Sequence, residues 1–173
     1  MFPRVTFIVG GAASGKSLWA EDFTNTSVKS KTYLATAQVL DGEMRAKVDL
    51  HIARRDQSWS LIETHLDLRP ALCALKSHQI CLIDCATMWL SNHLLANSDL
   101  ATAQVALLGA INDCPADLVI VSNEVGQGIV PENALARQFR EAQGRLNIAL
   151  AARADLVVQV TVGLPLVLKG TLP

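Results

Sequence analysis

The sequence predicts an α/β protein with a mainly parallel, doubly wound sheet and an antiparallel hairpin at its edge. Three observations carry this. The apolar run Val5-Thr6-Phe7-Ile8-Val9 leads directly into Gly10-Gly11-Ala12-Ala13-Ser14-Gly15-Lys16-Ser17, with a helical pattern behind it. Apolar runs suited to buried strands then alternate with helical patterns as far as Val162. Finally, two short strands only three residues apart close the chain, which is hairpin spacing.

The glycine-rich stretch reads G-x-x-x-x-G-K-S, the phosphate-binding P-loop, so the expected architecture is a single-domain P-loop NTPase fold over residues 1–173. A phosphate needs several N–H donors converging on one point. Gly10, Gly11 and Gly15 let the backbone curl to supply them together with Ala12, Ala13 and Ser14, and the following helix adds its positive end. Lys16 is the expected catalytic cation on the β- and γ-phosphates, and the Ser17 hydroxyl an expected Mg²⁺ ligand. An ordinary Gly-rich turn would need no lysine and serine at these two positions.

A short helix is expected over Leu18–Phe23, then a polar break over Asn25–Ser30 and a strand, Thr32–Ala35, ending in Thr36-Ala37. Asp41 is placed to cap a weakly amphipathic helix running to about Arg54 and carrying His51, at or beyond the sheet edge. Trp59–Glu63 reads as a short extended segment and Leu66–Lys76 as a helix. Ile80-Cys81-Leu82-Ile83-Asp84-Cys85 reads as a buried parallel strand whose end points Asp84 into the ligand crevice, the Walker B position. The competing role for Asp84 is to cap the helix Thr87–Leu95.

A helix over Leu100–Asn112 is stopped by Cys114-Pro115, and a second apolar strand, Leu118–Ser122, follows. Asn123–Gly128 holds a carboxylate and two glycines at that strand's end, which suits a ligand loop and equally a plain turn. The long helix Asn133–Arg153 places Arg137 and Arg140 on one face, read as solvated surface charges. Leu156–Val162, a Gly163-Leu164-Pro165 turn and Leu166–Lys169 make the terminal hairpin.

Composition narrows the function class. Of 173 residues, 50% are apolar, yet no run approaches the ~20 a membrane span needs. The first strand begins almost at Met1, leaving no room for a targeting peptide, so a cytoplasmic location is expected. Net charge is −1 with Lys and Arg dispersed, which gives no nucleic-acid or membrane-surface footprint. Cys73, Cys81, Cys85 and Cys114 lack metal or redox spacing and are expected to be buried reduced thiols.

Several segments together resemble one family, the bifunctional adenosylcobinamide kinase / adenosylcobinamide-phosphate guanylyltransferases of cobalamin biosynthesis. They are the P-loop; Tyr33–Ala37 with Leu40–Arg45; His51 followed by Arg55 and Trp59; Asp84-Cys85; Trp89–Asn92; Asn123–Pro131; Arg137–Arg140; and Gly144–Asn147. The resemblance implies an enzyme that phosphorylates adenosylcobinamide and then transfers GMP from GTP to the new phosphate, using GTP, ATP and Mg²⁺. It implies that His51 is the catalytic residue guanylylated in between, a role chemically suited to a neutral imidazole. It also implies nucleotide contacts at Ala35, Thr36, Ala37, Ile52, Ala53, Arg54, Arg55, Glu63 and Asp84, a corrinoid substrate, and a homotrimer with active sites near subunit boundaries. His65, His78 and His93 match no catalytic position of the family. The sequence departs from the family pattern at Ile52, Arg54, Asp56 and Ile148.

Two other readings use the same residues. A P-loop kinase of another small alcohol needs Lys16 and Asp84 but not His51. A nucleotide-switch protein needs the loop alone, although this chain has no guanine-reading N-K-x-D motif.

Overall fold

A computed structural model of the chain describes residues 2–38 and 58–173. The chain runs β1 (Val5–Gly10), α1 (Lys16–Asn25), β2 (Ser30–Ala35), β3 (Trp59–Glu63), α2 (Arg69–Ala74), β4 (Gln79–Asp84), α3 (Ala86–Leu95) and α4 (Leu100–Asp113). It continues with β5 (Asp117–Asn123), α5 (Ala134–Arg153), β6 (Leu156–Thr161) and β7 (Leu164–Lys169). The strands form one seven-stranded sheet in the order β3-β2-β4-β5-β1-β6-β7. Every pairing is parallel except β6 with β7, so the expected parallel sheet with an edge hairpin is what the chain forms.

Strand alternation sorts the apolar runs into two cores. Val5 and Phe7 of β1, Cys81 and Ile83 of β4, and Leu118 and Ile120 of β5 face α2 to α5. Ile8, Ile80, Leu82, Val119 and Val121 face the side covered by α1, where Phe23 packs between Phe2 and Trp19 at centroid distances of 4.9 and 5.2 Å. Phe7, Ile8, Leu82 and Ile120 are fully buried. Each such side chain contributes about 1.5–3 kcal/mol by leaving water, which is why β1, β4 and β5 read as unbroken apolar runs.

Three elements differ from their sequence reading. α1 begins at Lys16 rather than Leu18, because Gly15 closes the P-loop with φ 88° immediately before the first helical residue. α2 is shorter than the predicted 66–76. The Leu66 carbonyl accepts from Trp89 Nε1 at 2.7 Å, and helix formation waits for Pro70 in the first turn. The terminal turn is two residues, Val162-Gly163, rather than three.

Both turn residues have positive φ, 49° and 80°, the geometry that matches the twist of a tight hairpin. Pro165 thereby falls inside β7, where its missing N–H is harmless on an edge strand. Val162 is a β-branched residue in a region such residues avoid, held there by the Gly163 N–H bonding across to the Ser14 carbonyl at 2.8 Å.

Candidate active site

The P-loop connects β1 to α1 and is braced on two sides by backbone hydrogen bonds. Glu124 N–H donates to the Gly10 carbonyl at 2.9 Å, and Gly163 N–H to the Ser14 carbonyl at 2.8 Å. Ala13 at φ 55° and Gly15 at φ 88° curl the backbone into a concave row of N–H groups, the arrangement that holds phosphate oxygens. The glycines are there for close approach. A Cβ on Gly10 would lie 2.6 Å from the Val160 carbonyl oxygen and 2.5 Å from Ser14 Oγ, and one on Gly15 would lie 3.0 Å from Gly163 Cα.

Lys16 is buried, with Nζ donating to the Gly11 carbonyl at 3.1 Å. Burial pulls its pKa below the ordinary lysine value, and the nearby Cys85 and Asp84 offset this in part. A desolvated ammonium beside a row of N–H donors is arranged to receive an anion, which restores the charge balance the fold leaves open. Ser14 Oγ is buried with no hydrogen-bond partner among the described residues, a further polar group left over at this loop.

The sheet brings the other predicted contacts into one row. Glu63 pairs with Ala35, Ala35 with Asp84, and Asp84 with Val121, while Gly10 pairs with Asn123 next door. Glu63 to the P-loop therefore crosses four strand spacings, about 19 Å. Asp84 accepts a hydrogen bond from Tyr33 Oη at 2.9 Å. The N-terminal cap position of α3 belongs to Cys85 and has no side-chain cap bond, so Asp84 is not used as a cap.

Thr36 is fully buried, and its hydroxyl donates to the Cys85 carbonyl at 2.7 Å while accepting from Cys85 N–H at 2.9 Å. Its side chain fixes the β4–α3 junction beside Asp84. Ala35 and Ala37 are partly exposed beside it. The Cys85 thiol, buried against the same junction, has its pKa pushed up to about 12, chiefly by desolvation and then by the Asp84 charge. It is a neutral, poorly reactive group. Cys81 and Cys114 are also buried, whereas Cys73 is exposed on α2, against expectation.

Behind the crevice lies support that the sequence reading missed. Arg137 donates to the carbonyls of Pro131 and Glu132, and Arg140 to those of Gly126 and Gly128. These are not free surface arginines: from one face of α5 they collect the carbonyls of the loop after β5. Beneath it, Asn147 Oδ1 accepts from Ser122 Oγ at 2.7 Å and Gln143 Nε2 at 2.8 Å, and its Nδ2 donates to the Asn123 carbonyl at 3.0 Å. Thr87 Oγ1 accepts from Asn123 N–H at 2.7 Å. The i, i+4 spacing of Gln143 and Asn147 on an apolar helix face was the available signal.

Of the predicted site residues, the structure brings Gly10 to Ser17, Ala35 to Ala37, Glu63 and Asp84 to the C-terminal edge of the sheet. The predicted helix from Asp41 to Arg54, and with it His51, Ile52, Ala53, Arg54 and Arg55, lies outside the described residues. His65 and His93 make ring-nitrogen contacts of 3.2 Å to the carbonyls of Thr36 and Leu66, the first tying the chain after β3 to the end of β2 and the second tying it to α3. Ser17 and Asp84 offer a hydroxyl and a carboxylate, hard oxygen donors that fit a small dication shared with nucleotide phosphates.

Residues 6–168 match the family described as "Cobinamide kinase / cobinamide phosphate guanyltransferase". The chain is 40% identical over 166 residues to the "Bifunctional adenosylcobalamin biosynthesis protein CobP" of Pseudomonas aeruginosa, covering 94% of this chain and 96% of that protein. It is 36% identical to the Escherichia coli K12 "Bifunctional adenosylcobalamin biosynthesis protein CobU", over 94% and 98% of the two chains.

Among solved structures, it resembles a prototypical ATPase from the type III secretion system of pathogenic bacteria, with TM-score 0.57 and 13% identity, over 91% of this chain and 51% of that one. It also resembles the secretion ATPase EscN of enteropathogenic E. coli, with TM-score 0.59 and 11% identity, over 92% and 43%. The chain thus spans about half the length of these ATPases, and at such identity the likeness speaks to the fold alone. By the match over residues 6–168 and the full-length relatives, the chain belongs to the cobinamide kinase / cobinamide phosphate guanyltransferase family.

Proposed function

We propose that this chain is a bifunctional transferase of cobalamin biosynthesis. It phosphorylates the aminopropanol hydroxyl of adenosylcobinamide from a nucleoside triphosphate, and then transfers GMP from GTP to that phosphate, giving adenosylcobinamide-GDP. The observation that carries the reading is the braced P-loop with its buried, charge-hungry Lys16 beside Asp84, in a chain that matches bifunctional relatives over 94% of its length.

In the first reaction the substrate hydroxyl oxygen forms a bond to the γ-phosphorus, the bond to the bridging oxygen breaks, a nucleoside diphosphate leaves, and the hydroxyl proton is released to solvent. The loop N–H groups and Lys16 hold the phosphates, and negative charge developing on them is met by donors already in place. Mg²⁺, held by Ser17 and Asp84, supplies further charge neutralisation when bound. In the second reaction a ring nitrogen of His51 attacks the α-phosphorus of GTP, pyrophosphate leaves, and the imidazole loses a proton. An oxygen of the corrinoid phosphate then attacks the same phosphorus and the P–N bond breaks, restoring His51. Ala35 to Ala37, Ile52 to Arg55 and Glu63 contact the guanine nucleotide in this reading. One domain carries both steps, in a cytoplasmic homotrimer without nucleic-acid partners.

The test uses GTP labelled at the α-phosphate. The wild-type protein is expected to take up acid-labile, base-stable label, and His51→Ala to take up none while still accumulating adenosylcobinamide phosphate. Label retained in His51→Ala would move the nucleophile elsewhere. Phosphorylation without any label on the wild type would reduce the protein to a kinase.

A further inference from the structure

We infer that the cleft between the P-loop and the β6–β7 hairpin is a nucleoside subsite for the phosphoryl donor, separate from the nucleotide contacts on the β2–β3–β4 side. The inference deepens the proposed function and rests on it for the identity of the acceptor.

The cleft measures about 370 Å³, within the range of small-molecule sites, and opens directly off the backbone of Gly11 to Ser14. Its far wall is Gln159 to Val162 of the hairpin, and its rim carries Glu124 and Gln127. The wall is pre-set, because the Gly163 N–H bonds to the Ser14 carbonyl at 2.8 Å and Glu124 N–H to the Gly10 carbonyl at 2.9 Å. A molecule in the cleft therefore sits at fixed distance from phosphates on the loop.

The chemistry of the walls selects the occupant. Among the described residues no lysine or arginine lines the cleft, and Glu124 brings a carboxylate, so this lining disfavours a second anionic group. It offers instead the side-chain amides of Gln127 and Gln159 and the hydroxyl of Thr161, none of which has a side-chain hydrogen bond among the described residues, beside the exposed apolar Val162. Uncommitted amides and a carboxylate next to apolar surface suit a purine with its ribose hydroxyls: the amides both donate and accept, and the carboxylate accepts from hydroxyl or amino groups. A corrin macrocycle is too large for it.

Two nucleoside positions answer a problem that two chemistries on one phosphate loop create. Phosphorylation needs the γ-phosphorus at the acceptor hydroxyl and guanylylation needs the α-phosphorus at the nucleophile, and two nucleoside positions would let each reaction seat its own nucleotide on the one loop. The sheet offers a place on each side of the loop. Gln159 on β6 is one strand spacing from β1, and Glu63 on β3 is four spacings away in the opposite direction.

Calorimetry with ATP and with tripolyphosphate as separate probes tests this on the whole chain. Gln159→Leu, which keeps the side chain's bulk, is expected to weaken ATP binding about 3- to 10-fold, the loss of one neutral hydrogen bond, while tripolyphosphate affinity stays within two-fold. Gln127→Ala, on an exposed loop where folding is not at stake, should act in the same direction. In turnover the ATP KM for phosphorylation should rise by the same factor, while the GTP needed for half-maximal covalent labelling moves less than two-fold. Equal losses for ATP and tripolyphosphate, no loss in either variant, or parallel shifts in both reactions would overturn the subsite. A selective loss of ATP affinity in a protein that phosphorylates nothing would instead leave the subsite standing and remove the functional reading.

Discussion

Asn147→Ala probes whether the buried amide network under the loop after β5 is a source of stability. Asn147 makes three hydrogen bonds, at 2.7, 2.8 and 3.0 Å, from a position 9% exposed. With the amide gone, the Ser122 hydroxyl can turn to Thr87 Oγ1, already 3.3 Å away, so one partner is recovered. Two groups have no such escape: one Gln143 N–H and the Asn123 carbonyl.

At about 1–3 kcal/mol for each buried polar group left unpaired, and with some relief from water entering the space, the loss should be about 2–4 kcal/mol. For a chain of this size, with a urea m-value on the order of 2 kcal/mol/M, the unfolding midpoint should fall by about 1–2 M at unchanged m. The control is Arg145→Ala. Its pair with Glu141 is about 70% exposed on both sides and should be worth under about 0.5 kcal/mol. A midpoint shift in Asn147→Ala no larger than the control's would refute the network as a source of stability.

Lys16→Ala should lower the phosphorylation rate by about 10²–10³, the effect of losing one preorganised charge contact to the transition state. The fold should survive it, and a soluble variant with full rate would remove Lys16 from the chemistry. Because burial depresses the Lys16 pKa, the unfolded chain binds the proton more tightly than the folded one between the folded pKa and the ordinary lysine value. Lys16 should therefore contribute a rise in stability with pH across that alkaline window, against the fall contributed by the buried thiols of Cys81, Cys85 and Cys114, whose pKa values are raised by burial; urea midpoints should fall more steeply with pH in Lys16→Ala than in the wild type. Asp84→Asn should weaken the Mg²⁺ dependence of phosphorylation, and a rate insensitive to metal concentration in the wild type would deny Asp84 that role. An aromatic disulfide reagent at neutral pH should modify one thiol quickly in the native protein, Cys73, and four after denaturation, since Cys81, Cys85 and Cys114 are buried. Fast modification of Cys85 would contradict its raised pKa.

The P-loop was legible because it is local: the glycines, Lys16 and Ser17 follow one another, and the backbone they shape needs only its own neighbours. β4 and β5 were legible because a strand buried on both faces must be apolar throughout, and Asp84 stood out as the charge that ends such a run. The terminal hairpin was seen but its turn misplaced. Gly163 and Pro165 are strong local signals, whereas Val162 takes its positive φ only because the turn is bonded to the P-loop, a partner about 150 residues away in sequence.

The roles of Arg137, Arg140, Thr36 and Asn147 belong to the same kind of information. Each is a polar side chain whose partner is a backbone group or buried amide on another element, and nothing in its own segment says whether it faces water or a distant carbonyl. Sequence by itself determined which segments could bury themselves and where a phosphate could be cradled. Tertiary structure decided which polar groups hold that cradle in shape, because hydrogen-bond partners are chosen by proximity in space and apolar periodicity carries no record of them.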